Sequence, residues 1–115
     1  MSVIIYHNPK CSKSRQTLEL LSAKGITPTI IEYIKNPPTV EKLKEILSQL
    51  GISPRDLMRK KEDIYKELEL GILSLSDKDL IDLMIEHPTL IERPIVIANG
   101  KAVLGRPPEQ VLDIL

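Results

Sequence analysis

The sequence is poor in the residues that most often signal a particular ligand. Among its 115 residues there is one cysteine, tyrosine occurs three times, and tryptophan and phenylalanine are absent. Such a chain lacks the aromatic platforms on which single-strand nucleic-acid binders stack bases. Lys plus Arg and Asp plus Glu stand at 16 each, so no net charge draws the protein towards a polyanion. We therefore expect no nucleic-acid partner.

Long hydrophobic runs are also missing. The apolar runs at 3–5 and 95–97 are far shorter than the roughly 20 residues that a helix needs to cross a bilayer. The N-terminus has no basic, apolar and small-residue signal pattern. These features predict a cytoplasmic protein without a membrane partner.

The scarcity of cysteine limits what the thiol can do. Cys11 has no second cysteine with which to form an internal disulfide. Even with His7 and His87 it supplies too few ligands for a zinc or iron–sulfur site, so we expect no metal. The thiol is therefore either a packing residue or a reactive group.

What the sequence does contain is an alternation of strand and helix patterns. The β-branched run 2–6 predicts a buried strand that ends in a turn. Apolar residues at helical spacing follow from about Ser12, and Gly25 is placed to end that helix. A second strand is predicted over 29–33. The chain thus opens with a βαβ unit.

The middle of the chain is predicted to be helical. Thr39, Ser53 and Ser76 stand at N-cap positions, each ahead of apolar residues at helical spacing. Short helices are predicted over 54–70. The sequence therefore indicates a helical insertion at about 39–87.

The last part of the chain predicts a hairpin and a closing helix. The runs 94–98 and 101–104 flank Asn99-Gly100, a strong signal for a type I′ turn because both residues tolerate positive φ. The closing helix is predicted over 108–115.

This order, β-α-β, helical insertion, β-β-α, indicates an α/β thioredoxin-like fold with a four-stranded mixed sheet. We expect a single domain over residues 1–115. In that fold the catalytic loop follows the first strand, and the residue before the third strand is commonly a cis proline. Pro94 is the candidate here.

The surroundings of Cys11 favour a thiolate. Segment 7–15 joins a strand to a helix, where free N–H groups and the helix dipole concentrate positive potential. The flanking side chains are cations or hydroxyl donors: Lys10, Ser12, Lys13, Ser14 and Arg15. Both kinds of group should lower the thiol pKa below its usual value of about 8.5 and could hold an oxyanion beside the sulfur. We expect Ser12 and Arg15 to act in this support, whereas inert packing is disfavoured by such polar neighbours.

Other phosphate and redox motifs are missing from this loop. A P-loop is excluded because no Gly-x-x-x-x-Gly-Lys run occurs, and the phosphatase spacing of Cys, five residues, then Arg is absent. Ser14 stands where a dithiol oxidoreductase has its second cysteine. A redox cycle through Cys11 must therefore borrow a thiol from another molecule, such as a small thiol or a glutaredoxin-type protein.

Several segments together resemble a known family, the glutaredoxin-coupled arsenate reductases of bacteria. The matching segments are Tyr6-His7-Asn8-Pro9 with Cys11, Ser14-Arg15, Thr17-Leu18, Asn36-Pro37-Pro38, Arg59-Lys60, Glu92-Arg93-Pro94-Ile95-Val96 and Arg106-Pro107. Their order and spacing agree with the family over nearly the whole chain. The resemblance implies an enzyme that reduces arsenate to arsenite.

The resemblance also implies roles for individual residues. In that family the cysteine attacks arsenate and three arginines bind the oxyanion and the arsenic intermediates. The matching positions are Arg59, Arg93 and Arg106, and arginine presents a fixed fork of donors that suits such oxyanions. The family further suggests that His7 and Ser14 support the nucleophile.

The implied reaction uses glutathione as co-substrate, glutaredoxin as partner and no tightly bound cofactor. The Cys11 thiolate would displace an oxygen from arsenate, glutathione would attack the adduct, and glutaredoxin would reduce it so that arsenite leaves. One alternative is a glutathione-dependent thiol reductase with another substrate. A second is a regulator of the same fold that binds RNA polymerase, against which Ser14 argues because those regulators often carry a Cys-x-x-Cys switch.

The loop departs from the better-known family members at Lys10, Ser12 and Lys13, where small residues are usual. Two added lysines favour the approach of an anion. They would equally suit the carboxylates of glutathione or an acidic protein surface.

Overall fold

The computed structural model describes residues 2–68 and 74–115. The end of the helical stretch predicted over 54–70 therefore lies outside the described residues. The chain divides into two compact units, one formed by the residues up to Asn36 together with Arg93–Leu115, the other by Pro37–Glu92. The single domain over residues 1–115 stays a prediction.

The first unit is built on a four-stranded mixed sheet. Its strands are β1 (Val3–Tyr6), β2 (Thr29–Ile31), β3 (Ile95–Ala98) and β4 (Lys101–Leu104). Their order is β2-β1-β3-β4, with β1 parallel to β2 and antiparallel to β3, and β3 antiparallel to β4. The predicted thioredoxin-like α/β fold with four mixed strands is confirmed.

Helix α1 (Ser12–Ala23) lies between the first two strands in sequence and packs on the sheet. Its Leu21 is fully buried in a core that includes residues of β1, β3 and the C-terminal segment. The core members are Val3, Ile5, Leu21, Val96, Ala98, Val111 and Ile114. Burial of this apolar set holds α1, whose N-cap residue is Cys11, against the sheet.

Two details of the first unit differ from the sequence prediction. Strand β2 stops at Ile31 instead of residue 33, because the carbonyl of Glu32 accepts N–H bonds from Lys35 and Asn36 and turns the chain. The closing helix is a 3-10 helix over Pro108–Ile114 instead of an α-helix.

The predicted hairpin between β3 and β4 is present. Asn99 and Gly100 both have positive φ, 54° and 72°, as a type I′ turn requires. The Asn99 side-chain amide also donates to the carbonyl of Ile114 at 2.8 Å, which ties the turn to the closing 3-10 helix.

The second unit is helical in its described residues. Its helices are α2 (Val40–Leu50), α3 (Pro54–Leu57), α4 (Asp63–Glu67), α5 (Asp77–Glu86) and a 3-10 turn at Pro88–Leu90. Thr39, Ser53 and Ser76 cap α2, α3 and α5 through their side-chain oxygens, as predicted. No helix within residues 2–68 and 74–115 combines the length and apolarity needed to span a bilayer.

Candidate active site

Cys11 is the N-cap residue of α1. Its backbone is extended, with φ −98° and ψ 125°, and its carbonyl accepts the first helical bond from Arg15 N–H at 3.0 Å. The residue is 8% exposed, so the sulfur is largely shielded from water. At this position the backbone N–H groups of Ser14 and Lys13 favour the charged form of the sulfur and lower the pKa of the thiol.

Opposing effects act on the Cys11 thiol. Burial raises its pKa, because the charged form loses solvation. The Ser14 N–H, the side-chain hydrogen bond and charge of Arg93, and the Lys13 N–H lower it by more. The net pKa of the thiol lies below its usual value. The arrangement can therefore supply a thiolate nucleophile.

The hydroxyl of Ser14 is engaged by residues of the loop that precedes α1. Ser14 is fully buried, and its Oγ lies 2.7 Å from His7 Nδ1 and accepts the Asn8 N–H at 3.0 Å. The sequence suggested that this hydroxyl could donate to the Cys11 sulfur. In the structure the backbone N–H of Ser14 is the group that lowers the pKa of the thiol. Ser14 thus links His7 to the first turn of α1.

His7 is buried, and its environment favours the neutral ring. Burial lowers its pKa, the charge of Glu32 raises it, and the charge of Arg15 lowers it, with a net pKa below the usual value. A neutral imidazole with its proton on Nε2 can accept a hydrogen bond from the Ser14 hydroxyl at Nδ1. The geometry gives His7 the position of a residue that orients Ser14.

Two of the three predicted arginines belong to the same unit as Cys11. Arg93 precedes Pro94, and the bond between them is cis, as expected for that candidate. Arg106 is exposed, and its Nη1 donates to the Arg93 carbonyl at 3.3 Å. The Arg106–Pro107 bond is also cis. Arg93 thus acts on the Cys11 thiol, and Arg106 is hydrogen-bonded to the backbone of Arg93.

Arg59, the third predicted arginine, lies in the second unit and is held there by two carboxylates. Its Nε is 3.0 Å from Glu62 Oε1 and its Nη1 is 2.8 Å from Glu92 Oε1. The Arg59 side chain is 19% exposed, and those of the two glutamates are 32% and 26% exposed. Sequence reasoning missed both partners, although Glu92 belongs to a matching segment and Glu62 is three residues beyond Arg59.

The backbone around Arg59 is also fixed within this unit. Arg59 N–H donates to Leu90 O at 2.7 Å, and Glu92 N–H donates to Leu57 O at 2.8 Å. Met58 and Ile91 form an antiparallel bridge between these bonds. This short pairing sets Arg59 beside Glu92.

The remaining predicted residues shape the loop before α1. Arg15 is exposed, and its Nη1 donates to Pro9 O at 2.8 Å, which braces the loop from outside. The Lys10 N–H donates to Asn8 Oδ1 at 3.0 Å and closes a side-chain turn. Ser12 is exposed at the first position of α1. Among the described parts of the chain, no three His, Cys, Asp or Glu side chains are grouped as a metal site would need.

Comparison with known proteins agrees with this architecture. A model of the ArsC family matches residues 6–114. A Haemophilus influenzae protein named arsenate reductase is 54% identical over 116 residues, covering 100% of both chains. An Escherichia coli protein that carries the name uncharacterized protein YfgD is 55% identical over 114 residues, 98% of this chain and 96% of its own.

A solved structure gives the same result in three dimensions. The structure titled arsenate reductase from Vibrio cholerae superimposes with a TM-score of 0.96 at 60% sequence identity, covering 100% of this chain and 98% of that one. The family match, the identities over the full length and the shared fold lead to one conclusion: this chain belongs to the ArsC family.

Proposed function

We propose that this protein is an arsenate reductase that uses the Cys11 thiolate as its nucleophile. The observation that carries the proposal is a largely buried thiol at a helix N-terminus, whose pKa the backbone N–H groups of α1 and the Arg93 side chain hold below the usual value. The relatives from Haemophilus influenzae and Vibrio cholerae that bear the name arsenate reductase support the choice of substrate.

The first step needs positive charge beside the sulfur, because thiolate and oxyanion repel each other. Arg93 supplies that charge at the sulfur, and Arg106 adds a second guanidinium bonded to the Arg93 backbone. Arg59, by motif, is the third oxyanion ligand. The sulfur forms a bond to arsenic, and one arsenate oxygen takes up protons and leaves as water.

Reduction then needs two electrons, and the chain has one cysteine, so two thiols must come from outside. Glutathione forms a second sulfur–arsenic bond and a second oxygen leaves as water. A glutaredoxin thiolate attacks the glutathione sulfur, which makes a mixed disulfide and leaves the bonding pair on arsenic. Arsenic is now trivalent, and water replaces the Cys11 sulfur so that arsenite leaves and the thiolate is restored.

This cycle requires a compartment that keeps thiols reduced. Bacterial cytoplasm meets that requirement, because thiol reductants hold cysteines in their free form there. The proposal therefore includes a cytoplasmic location.

The test is arsenite formation from arsenate by the purified protein with glutathione and glutaredoxin, omitting each component in turn. Turnover should need all of them and should fall to background in Cys11→Ser, because an alcohol without a paired base is a poor nucleophile. Arsenite formation by Cys11→Ser at the wild-type rate would contradict the proposal. Reduction of a small disulfide substrate without arsenite formation would instead select the thiol-reductase alternative.

A further inference from the structure

Gly105, directly after β4, occupies a site that has no room for a side chain. A Cβ built there would lie 2.5 Å from Thr17 Oγ1 and 2.8 Å from Pro94 Cγ. Both distances are far inside van der Waals contact. Three other described glycines differ in that they have positive φ and open space at the Cβ position: Gly25, Gly51 and Gly100. Gly105 is required by packing, not by backbone conformation.

The atoms that surround Gly105 have little freedom to move. Thr17 is fully buried inside α1, and its Oγ1 donates to Lys13 O at 2.8 Å. Pro94 is buried, and its carbonyl accepts the Gly105 N–H at 3.0 Å. Because Thr17 is β-branched and the proline ring is rigid, an added methyl group would displace backbone.

The displaced backbone would be that of the predicted arginines. Arg93 is bonded directly to Pro94, and Arg106 is bonded directly to Gly105. The Arg93 side chain acts on the Cys11 sulfur, whose pKa it lowers by hydrogen bonding and by its charge, and Arg106 donates to the Arg93 carbonyl. The contact of Gly105 with Thr17 and Pro94 therefore sets the spacing between the helix that begins at Cys11 and the segments that carry both guanidinium groups.

We propose that Gly105 is a positioning residue whose missing side chain lets Pro94 and Thr17 close together and so holds Arg93 against the Cys11 sulfur. Gly105 touches neither sulfur nor substrate, and it acts through Arg93. The kinetic part of this inference rests on the proposed arsenate reduction. The part that concerns the thiolate does not.

The test compares Gly105→Ala with the wild-type protein by titrating the thiolate through its absorbance at about 240 nm. The chain has a single cysteine, so the signal belongs to Cys11. We expect the midpoint of the thiol titration to rise by about one pH unit, so that roughly tenfold less thiolate is present at any pH below the wild-type midpoint. We expect kcat/KM for arsenate to fall roughly tenfold as well. A lower melting temperature with an unchanged midpoint would overturn the inference, because it would make Gly105 a purely structural residue.

A matched control separates positioning from general destabilisation. Gly100→Ala strains the hairpin turn, where φ is 72°, but adds its methyl group in open space. This variant should lose stability and keep the wild-type thiol midpoint. An equal rise of the midpoint in Gly100→Ala would contradict the inference.

A relief variant keeps the test valid where Gly105→Ala fails to fold. Thr17→Ala removes two of the three close contacts, Oγ1 at 2.5 Å and Cγ2 at 3.2 Å, and leaves Pro94 Cγ at 2.8 Å. The double variant Thr17→Ala/Gly105→Ala should therefore have a higher thiol midpoint than Thr17→Ala alone. Where all variants can be measured, this rise should be smaller than the rise that Gly105→Ala causes in the wild-type protein. Identical midpoints for Thr17→Ala and the double variant would overturn the inference.

The titration also separates this inference from the proposed function. It needs neither arsenate nor glutathione, so a protein that forms no arsenite can still show the shift. A wild-type protein that turns over arsenate while Gly105→Ala keeps its thiol midpoint would refute the inference and leave the proposed function standing.

Discussion

At Cys11 the protein stabilises a charge that burial opposes. A residue that is 8% exposed loses much of the hydration of its thiolate, and this loss is the largest single effect on its pKa. Backbone N–H groups and Arg93 together outweigh it. Since these donors are fixed by helix geometry and by the sheet, the thiolate is stabilised without a metal or a second cysteine among its described contacts.

The Arg93 contribution can be measured directly. Arg93→Met removes the hydrogen bond and the charge, so the pKa of Cys11 should rise, by about one unit if the lost interaction is worth about 1.4 kcal/mol. The measurement is the midpoint of the pH dependence of alkylation by iodoacetamide. Arg93→Lys keeps the charge and loses the fork of donors, so its midpoint should lie between those of the wild-type protein and Arg93→Met. An Arg93→Met protein with the wild-type midpoint would refute this contribution.

Ser14→Ala should act on stability more than on the thiol. The substitution keeps the N–H that reaches the sulfur, but it leaves His7 Nδ1 and the Asn8 N–H without the Ser14 hydroxyl. Buried polar groups that lose a partner cost about 1–3 kcal/mol, so the free energy of unfolding in urea should fall by that amount. Ser12→Ala, at an exposed position, is the control and should change it by less than about 0.5 kcal/mol. Equal stability of the two variants would contradict the account.

At the scale of elements, the sequence predicted what depends on neighbours in the chain. The caps of α2 and α5 follow from Thr39 and Ser76, and the hairpin follows from Asn99-Gly100, because each uses a local side chain or a local φ. The end of β2 and the 3-10 form of the closing helix depend on turn geometry and packing. These were therefore the parts that the sequence pattern missed.

The same distinction holds for the candidate site. The loop before α1 was predictable because its strand, turn and helix are consecutive. Arg93 comes near the sulfur because β3 pairs with β1 in a register that sets Ile95 opposite Tyr6. This pairing joins distant parts of the chain, so the family motif could indicate it but the spacing of residues along the sequence could not. Glu92 likewise reaches Arg59 through the pairing of Met58 with Ile91, whereas Glu62 is a local neighbour three residues along the chain.

That pairing predicts a role for Glu92 in the proposed reaction. Glu92→Ala would release the Arg59 Nη1 from a charged hydrogen bond of 2.8 Å. Such bonds are worth about 1.5–3 kcal/mol, so kcat/KM for arsenate should fall about ten- to a hundredfold. Glu92→Gln keeps an acceptor and should lose less. Glu86→Ala is the control, since Glu86 is 71% exposed, and should behave as wild type. Wild-type kinetics in Glu92→Ala would contradict this role.

At the scale of the whole molecule, the scarcity of cysteine shapes the proposed chemistry. A chain with one thiol can form a bond to arsenic but cannot supply both electrons, so reduction is completed by other molecules. This much follows from the sequence alone. The balance of 16 basic and 16 acidic residues means that the positive field needed for an oxyanion has to be built locally, at the loop and its arginines.

The lowered thiol pKa also makes global stability depend on pH. The folded protein releases the Cys11 proton at lower pH than the unfolded chain, whose thiol titrates at about 8.5. Between the pKa of the folded thiol and about 8.5 the unfolded state binds more protons, so the free energy of unfolding should rise with pH over that interval. Urea unfolding at several pH values measures this slope. Cys11→Ser should flatten it, and an equal slope in both proteins would contradict the linkage.

The central claim is that the fold lowers the pKa of the Cys11 thiol below its usual value and so favours the thiolate, and titration of the thiolate absorbance in the wild-type protein tests it most directly. Cys11→Ser supplies the blank, because it removes the chain's one thiol. The account predicts a midpoint clearly below the usual thiol value of about 8.5. A midpoint at or above that value would mean that burial outweighs the N–H groups and Arg93, and it would remove the nucleophile on which the proposed reduction of arsenate depends.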